Sequence, residues 1–81
     1  MAEWEVNIYP NPSSQFIKVS HNSKNKKSLS YAIVNTKGEI VFSEKPLVNE
    51  NHINIENLKK GNYFLIIRQN NQIVTKEFIK I

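Results

Sequence analysis

The side chains that could support catalysis or metal binding are few in this chain and far apart in sequence. His21 and His52 are the only histidines, and cysteine and aspartate are absent. A three-histidine zinc site, a catalytic thiol and the usual aspartate-rich calcium loops therefore lack their residues. No Ser-His-acid order, HExxH motif or glycine-rich phosphate loop occurs. The sequence thus predicts no enzyme activity, no catalytic residue, no metal site and no cofactor.

Basic side chains offer a second kind of chemistry, which is phosphate binding. Lysine and arginine number 11 against 7 glutamates, for a net charge of +4, and Lys24, Lys26 and Lys27 form the densest basic run. Arg68 is the only arginine, whereas base recognition and bidentate phosphate clamping rely on arginine. We interpret the lysine run as a solvated loop and expect no nucleic-acid partner.

Short apolar runs separated by polar breakers divide the chain at regular intervals. This spacing, with β-branched and aromatic residues in the runs, is typical of a small all-β sandwich or barrel. The predicted strands are seven: 5–9, 15–20, 29–35, 39–43, 52–55, 63–69 and 73–81. The segments Thr36-Lys37-Gly38-Glu39 and Asn70-Asn71 carry residues that suit hairpin turns. Helix is limited to one possible turn at 56–60.

Alternation of apolar and polar residues along these runs predicts the core. The side chains expected to face inward are Ile17, Val19, Leu29, Tyr31, Ile33, Ile40, Phe42, Ile53, Ile55, Tyr63, Leu65 and Ile67. Phe64 and Ile66 make the opposite face of the sixth strand apolar as well, which is expected of a central strand. The apolar residues of the last strand keep no single parity, so we expect a β-bulge near 75–77.

Two prolines bracket an asparagine in Tyr9-Pro10-Asn11-Pro12, directly after the first predicted strand. Each proline fixes its own φ, removes an N–H and pushes the preceding residue toward an extended conformation. The first strand is therefore expected to stop pairing at Pro10. Much further along, Gly61 precedes the sixth strand, where glycine would close a turn or relieve a positive φ.

The order of these segments resembles a known family. The resemblance is carried by Tyr9-Pro10-Asn11-Pro12, the Gly38 hairpin, Leu58-x-x-Gly61-x-Tyr63-Phe64 and Thr75-Lys76-x-Phe78-x-Lys80. This pattern is similar to the C-terminal sorting domain of type IX (Por) secretion cargo, type A family, of the Bacteroidetes. The motif matches, as candidate recognition residues, are Pro10, Asn11, Pro12, Gly38, Leu58, Gly61, Tyr63, Lys76, Phe78 and Lys80. Many family members carry an aspartate and a basic residue around the hairpin glycine, where this chain has Asn35 and Glu39.

The resemblance implies an immunoglobulin-like antiparallel β-sandwich of about seven strands over 6–81, preceded by a linker or cloning remnant over 1–5. It implies a label that directs an N-terminal cargo protein from the periplasm through the outer-membrane type IX translocon to the cell surface or the medium. A cell-surface sortase usually cleaves such a label. The expected partners are translocon components, the sortase and the cargo, and the domain is expected to be a monomer without a membrane span.

Two roles stay open for the motif residues. The last strand and the adjacent hairpin surface could form a docking edge to which a translocon component adds a strand. Alternatively, these residues only maintain the fold, with Gly61 satisfying backbone geometry and Tyr63 filling the core. A different function also stays open: an immunoglobulin- or fibronectin-like accessory domain that binds carbohydrate or a partner protein, with Trp4 as a possible anchor.

Overall fold

The computed structural model describes residues 5–21, 29–47, 52–69 and 72–81. Within these ranges the chain forms seven strands and no helix. The strands are β1 (Val6–Tyr9), β2 (Phe16–His21), β3 (Leu29–Asn35), β4 (Ile40–Pro46), β5 (His52–Asn54), β6 (Gly61–Gln69) and β7 (Gln72–Lys80). Three of the sequence features discussed above, Trp4, the lysine run at 24–27 and the Asn70-Asn71 turn, lie outside the described residues.

The strands form two antiparallel sheets that pack as a sandwich. The three-stranded sheet has the order β1-β2-β5, and the four-stranded sheet has the order β4-β3-β6-β7. β6 pairs with β3 on one side and β7 on the other, so its predicted central position is confirmed. The predicted immunoglobulin-like antiparallel β-sandwich of seven strands is likewise confirmed.

The residues in the turns and connections determine where the strands end. β1 ends at Tyr9, as the following proline predicts. The predicted hairpin between β3 and β4 is present, and Gly38 adopts a φ of 84° in its turn. Gln69 pairs with Gln72 across β6 and β7, so these two strands are joined by a two-residue connection. At 56–60 the chain makes a turn and not a helix.

Most of the core side chains are those that alternation predicted. The buried apolar residues are Val6, Ile17, Val19, Leu29, Ile33, Leu47, Ile53, Ile55, Tyr63, Leu65, Ile67 and Phe78. Tyr31 and Phe42 are partly buried and pack against this cluster. Burial raises the pKa of the Tyr31 hydroxyl above its usual value.

The prediction that Ile40 lies in the core was wrong, because its side chain is 68% exposed. The pairing of β3 with β4 shifts register on both sides of Ile33. Phe42 therefore lies opposite the inward-facing Ile33, while Ile40 lies opposite Val34 on the outer face. Two β4 residues of the same parity thus reach different faces, which strict alternation cannot predict.

The expected bulge in β7 was also wrong, because its pairing with β6 runs without a shift along the whole strand. Burial alternates regularly, with Phe78 and Lys80 buried and Ile73 and Ile79 exposed. The apolar residues of β7 lack a common parity because lysines occupy inner positions of this edge strand while isoleucines occupy outer ones. Inward-pointing lysines on an edge strand are a known device against edge-to-edge association.

Candidate functional site

The segment that follows β1 crosses from one sheet to the other and lies against the free edge of β7. Asn11 makes the first contact with its side chain. Its Oδ1 accepts a hydrogen bond from the backbone N–H of Ile79 at 3.0 Å, and its Nδ2 donates to the carbonyl of Glu77 at 3.2 Å. The carboxamide thus offers one acceptor and one donor, as the backbone of an adjacent strand would.

Ser13 continues this contact with its own backbone. Its N–H donates to the carbonyl of Ile79 at 2.9 Å, and its carbonyl accepts from the N–H of Ile81 at 2.9 Å. The pairing of Ser13 with Lys80 is parallel. The Ser13 side chain is only 5% exposed, and its hydroxyl donates to the carbonyl of Phe16. The Asn11–Ser13 segment therefore covers the C-terminal part of the β7 edge.

The prolines explain why a side chain has to begin this pairing. Pro10 and Pro12 have no N–H, so neither can donate to a neighbouring strand. The Asn11 carboxamide supplies the donor that the flanking residues lack. The peptide bonds Tyr9-Pro10 and Asn11-Pro12 are both cis.

On its other side, the same part of β7 pairs with the start of β6. Gly61 lies opposite Lys80, and Tyr63 lies opposite Phe78. The Tyr63 and Phe78 rings stack with their centroids 5.6 Å apart. Phe78 is fully buried, and Gly61 has a φ of 150°, a value that side-chain-bearing residues rarely adopt. Glycine therefore allows β6 to begin at the position directly opposite Lys80.

The turn that leads into β6 holds the hydroxyl of Tyr63. This hydroxyl donates to the Lys59 carbonyl at 2.6 Å, so the buried ring has its polar end satisfied. The turn is closed by a hydrogen bond from the Leu58 N–H to the Ile55 carbonyl at 3.0 Å. The Leu58 side chain packs against the core. Leu58 and Tyr63 therefore both stabilise the turn that precedes β6.

The β3–β4 hairpin lies at the same end of the sandwich, because Asn35 at the end of β3 pairs with Tyr63. Asn35 Oδ1 accepts from the N–H groups of Lys37 at 2.9 Å and Glu39 at 3.0 Å. Its Nδ2 donates to Glu39 Oε1 at 2.8 Å. Asn35 and Glu39 thus form a hydrogen-bonded pair around Gly38, at the two positions where this chain departs from the sequence pattern.

Nine of the ten candidate residues lie toward this one end, although they are spread over most of the chain, and Lys76 lies midway along β7. They differ in exposure. Pro10, Asn11, Pro12 and Gly38 are exposed, whereas Tyr63, Phe78 and Lys80 are buried. Buried lysines are uncommon, and the Lys80 ammonium contacts the Ile81 carbonyl at 3.4 Å.

The last candidate, Lys76, is half-buried on the inner face of β7, opposite Leu65. Tyr63 and Phe78 belong to the core, Leu58 packs against it, and Gly61 has the positive φ at the start of β6. The exposed candidates form the surface that a partner could reach.

Sequence reasoning missed Ser13, which is one of two buried polar side chains among the described residues. An isolated serine between two strands has no periodic signal. Its position one residue after Pro12 is the only hint, because the prolines end one pairing and the chain must find another. The Asn11–Ser13 segment also limits the hypothesis of a docking edge on the last strand to the part of β7 that this segment leaves uncovered.

The two histidines do not approach a metal-binding arrangement within the described ranges, where no three His, Cys, Asp or Glu side chains cluster. His52 stacks on the Phe16 ring with centroids 4.7 Å apart. In the part of the chain that the structure describes, no helix has the length and apolar character to cross a membrane.

A shallow groove of about 170 Å³ lies on the outer face of the four-stranded sheet. Ala32, Val34, Ile40 and Ile66 give it an apolar lining, and Glu44 and Arg68 stand at its polar side, 3.8 Å apart as an ion pair. None of the candidate motif residues lines this groove.

Residues 7–81 match the family model described as the secretion system C-terminal sorting domain. The match spans every candidate motif residue, from Pro10 to Lys80. No curated protein matches the chain.

Proposed function

Because this chain belongs to the family of type IX secretion system C-terminal sorting domains, we propose that it directs an N-terminal cargo protein through the outer-membrane translocon and is then cleaved by a cell-surface sortase. Membership in the family ties the domain to a secreted or cell-surface protein. The family is one of sorting signals and is not a known enzyme family. The family match over 7–81 is the observation that carries the proposal.

The geometry supports recognition of the label as a folded unit. Motif residues from the two ends of the chain meet where the Asn11–Ser13 segment lies on β7. An unfolded chain would not bring Asn11 beside Ile79, which is 68 positions away. In this proposal the translocon recognises the exposed surface around Pro10, Pro12 and the Gly38 hairpin, and the buried motif residues hold that surface in shape.

During transit the domain occupies the periplasm as a monomer attached to its cargo. Its moderate positive charge favours an acidic partner surface. The sortase then removes the label, and the cargo stays on the cell surface or enters the medium.

A second candidate function is an accessory domain that binds a partner protein or carbohydrate. The observation that favours it is the apolar groove on the outer face, which the motif residues do not line. A concave apolar surface with a few polar groups at its side is the usual form of a small binding site.

The position of the domain in a fusion protein tests the two functions. The 81 residues are placed behind a signal peptide, either after or before a fluorescent reporter, in a bacterium that has the type IX system. We expect the reporter outside the cell only when the domain is C-terminal. Equal retention in the periplasm in both orders would contradict the sorting function and leave the accessory domain.

A further inference from the structure

One part of the β7 edge is not covered by the Asn11–Ser13 segment. The N–H and C=O of Ile79 both point to that edge, because both bond to the segment. Backbone groups alternate in direction along a strand, so those of Ile73 and Thr75 point to the same edge. Among the described residues, no backbone pairs with this stretch of β7. The stretch from Ile73 to Glu77, called here the open edge, therefore presents backbone groups that no neighbouring strand pairs with, up to the Glu77 carbonyl that Asn11 binds.

We propose that the open edge binds an extended segment of a partner protein by β-strand addition, and that this segment carries β-branched apolar residues on one face and an acidic residue on the other. Strand addition to an exposed edge takes its affinity from backbone hydrogen bonds and its specificity from alternate side chains. The side chains of β7 then determine the chemistry of the added strand.

On the outer face, Ile73 is 53% exposed and Thr75 lies beside Ile66 in the register. A residue of the added strand that faces outward lies next to these side chains. Cross-strand pairs of β-branched residues are favourable there, and they remove exposed apolar surface from water. This face selects valine or isoleucine.

On the inner face, the open edge presents Lys76, which is half-buried. A residue directly opposite it lies about 5 Å away at Cβ, close enough for an ion pair to form. Among the described residues Lys76 makes no ion pair, since the one salt bridge there joins Arg68 to Glu44. The inner face of the added strand therefore favours glutamate or aspartate opposite Lys76.

A second copy of this chain is a poor occupant. Antiparallel self-pairing centred on Thr75 would set the two Lys76 side chains on the same face, about 7–8 Å apart on the diagonal. Like charges at that spacing disfavour the pair. Pairing could not extend past Glu77, because Asn11 already occupies the Glu77 carbonyl.

This inference deepens the proposed function and rests on it for the origin of the partner, which is a component of the secretion machinery. The test uses the purified 81-residue chain and synthetic peptides, so it does not depend on secretion. A failed peptide titration would leave a positive secretion result intact, and a failed secretion experiment would leave the edge site intact.

The probe is a blocked heptapeptide in which valine and glutamate alternate, titrated into the labelled chain and followed by NMR. We expect saturable shifts centred on the amide signals of Ile73, Thr75 and Glu77. Two peptide controls are matched to it: one with methylated valine nitrogens, and one with lysine in place of glutamate. Both controls should bind at least about tenfold more weakly, because each loses a hydrogen bond or a charge pair.

The protein variants are Thr75→Pro and Thr75→Val. Proline removes the N–H that faces the open edge, and it takes no hydrogen bond from the β6 pairing, since the backbone groups of Thr75 point away from β6. We expect Thr75→Pro to weaken binding at least about tenfold and Thr75→Val to keep it, with both variants retaining the dispersed spectrum of the folded domain.

Equal binding of the methylated peptide, or unchanged affinity in folded Thr75→Pro, would overturn the proposal. Concentration-dependent dimerisation that Thr75→Pro abolishes would also overturn it, because a second copy would then occupy the edge. If Thr75→Pro unfolds, the peptide controls alone decide.

Discussion

Asn11 accepts a hydrogen bond from the backbone N–H of Ile79 at 3.0 Å and so ties the segment after the first strand to the last strand, 68 positions away. The same side chain donates to the Glu77 carbonyl. A single carboxamide thus bonds to the β7 edge where the flanking prolines cannot. This contact gives a physical reason for finding an asparagine between the two prolines of this chain.

Asn11→Ala removes both hydrogen bonds and uncovers the Ile79 N–H and the Glu77 carbonyl. We expect the free energy of unfolding to fall by about 1–2 kcal/mol, a moderate cost because the site is exposed to water. Urea denaturation measures it. Asn7→Ala is the matched control, because Asn7 is exposed on β1 and should change stability by less than about 0.5 kcal/mol. Equal effects of the two substitutions would contradict the role given to Asn11.

Phe78 and Ile79 are neighbours on β7 with opposite environments. Phe78 is fully buried and stacks on Tyr63, whereas Ile79 is 41% exposed. Phe78→Ala should cost about 3–5 kcal/mol, which is a large part of the stability of a domain this small. Ile79→Ala should cost less than about 1.5 kcal/mol, since its side chain buries less surface. Thermal unfolding followed by circular dichroism compares the two, and similar losses would show that the inner and outer faces are misassigned.

Gly38 and Gly61 both have positive φ, at 84° and 150°, but only the first value lies near the left-handed region that asparagine tolerates. An added Cβ meets no atom within 4 Å at either glycine, so the cost of a substitution is conformational. Gly38→Asn should therefore cost less than about 1 kcal/mol, and Gly61→Asn should cost about 1–3 kcal/mol. Urea denaturation distinguishes them, and the reverse order would contradict the backbone geometry described above.

The Asn35–Glu39 pair of the hairpin predicts a charge-dependent coupling. Asn35→Asp places a carboxylate against Glu39 and removes the Nδ2 donor, so it should lower stability modestly. Adding Glu39→Lys should restore it by creating an acid–base pair at the two positions where this chain departs from the family pattern. The coupling free energy from a double-mutant cycle should be below about 1 kcal/mol and should shrink in high salt, because the pair is exposed. A coupling that salt leaves unchanged would contradict an electrostatic origin.

Strand number, central position of β6 and most of the core followed from alternation and turn residues, because both are local properties of the sequence. The errors had non-local causes. Ile40 reaches the outer face because the register of β3 with β4 shifts beside Ile33. β7 has no bulge, because Lys76 and Lys80 occupy inner-face positions while the exposed isoleucines occupy the outer face.

The sequence named candidate motif residues but did not predict how they are arranged. The motif positions were identified from a family pattern, and all but Lys76 lie toward one end of the sandwich. The contact of Asn11 and Ser13 with β7 was not predictable, because a side chain that substitutes for a strand backbone leaves no periodic trace in the sequence. The part of the β7 edge that stays accessible to a partner was unpredictable for the same reason, because it depends on which residues the Asn11–Ser13 segment covers.

The most direct test of the sorting function is the extracellular fraction of a reporter that carries the 81 residues at its C-terminus. It is measured in cells with the type IX translocon and in otherwise identical cells that lack it. We predict that most of the reporter is outside the first cells and that it accumulates in the periplasm of the second. The same periplasmic fraction in both strains would contradict the assignment of this domain as a sorting label.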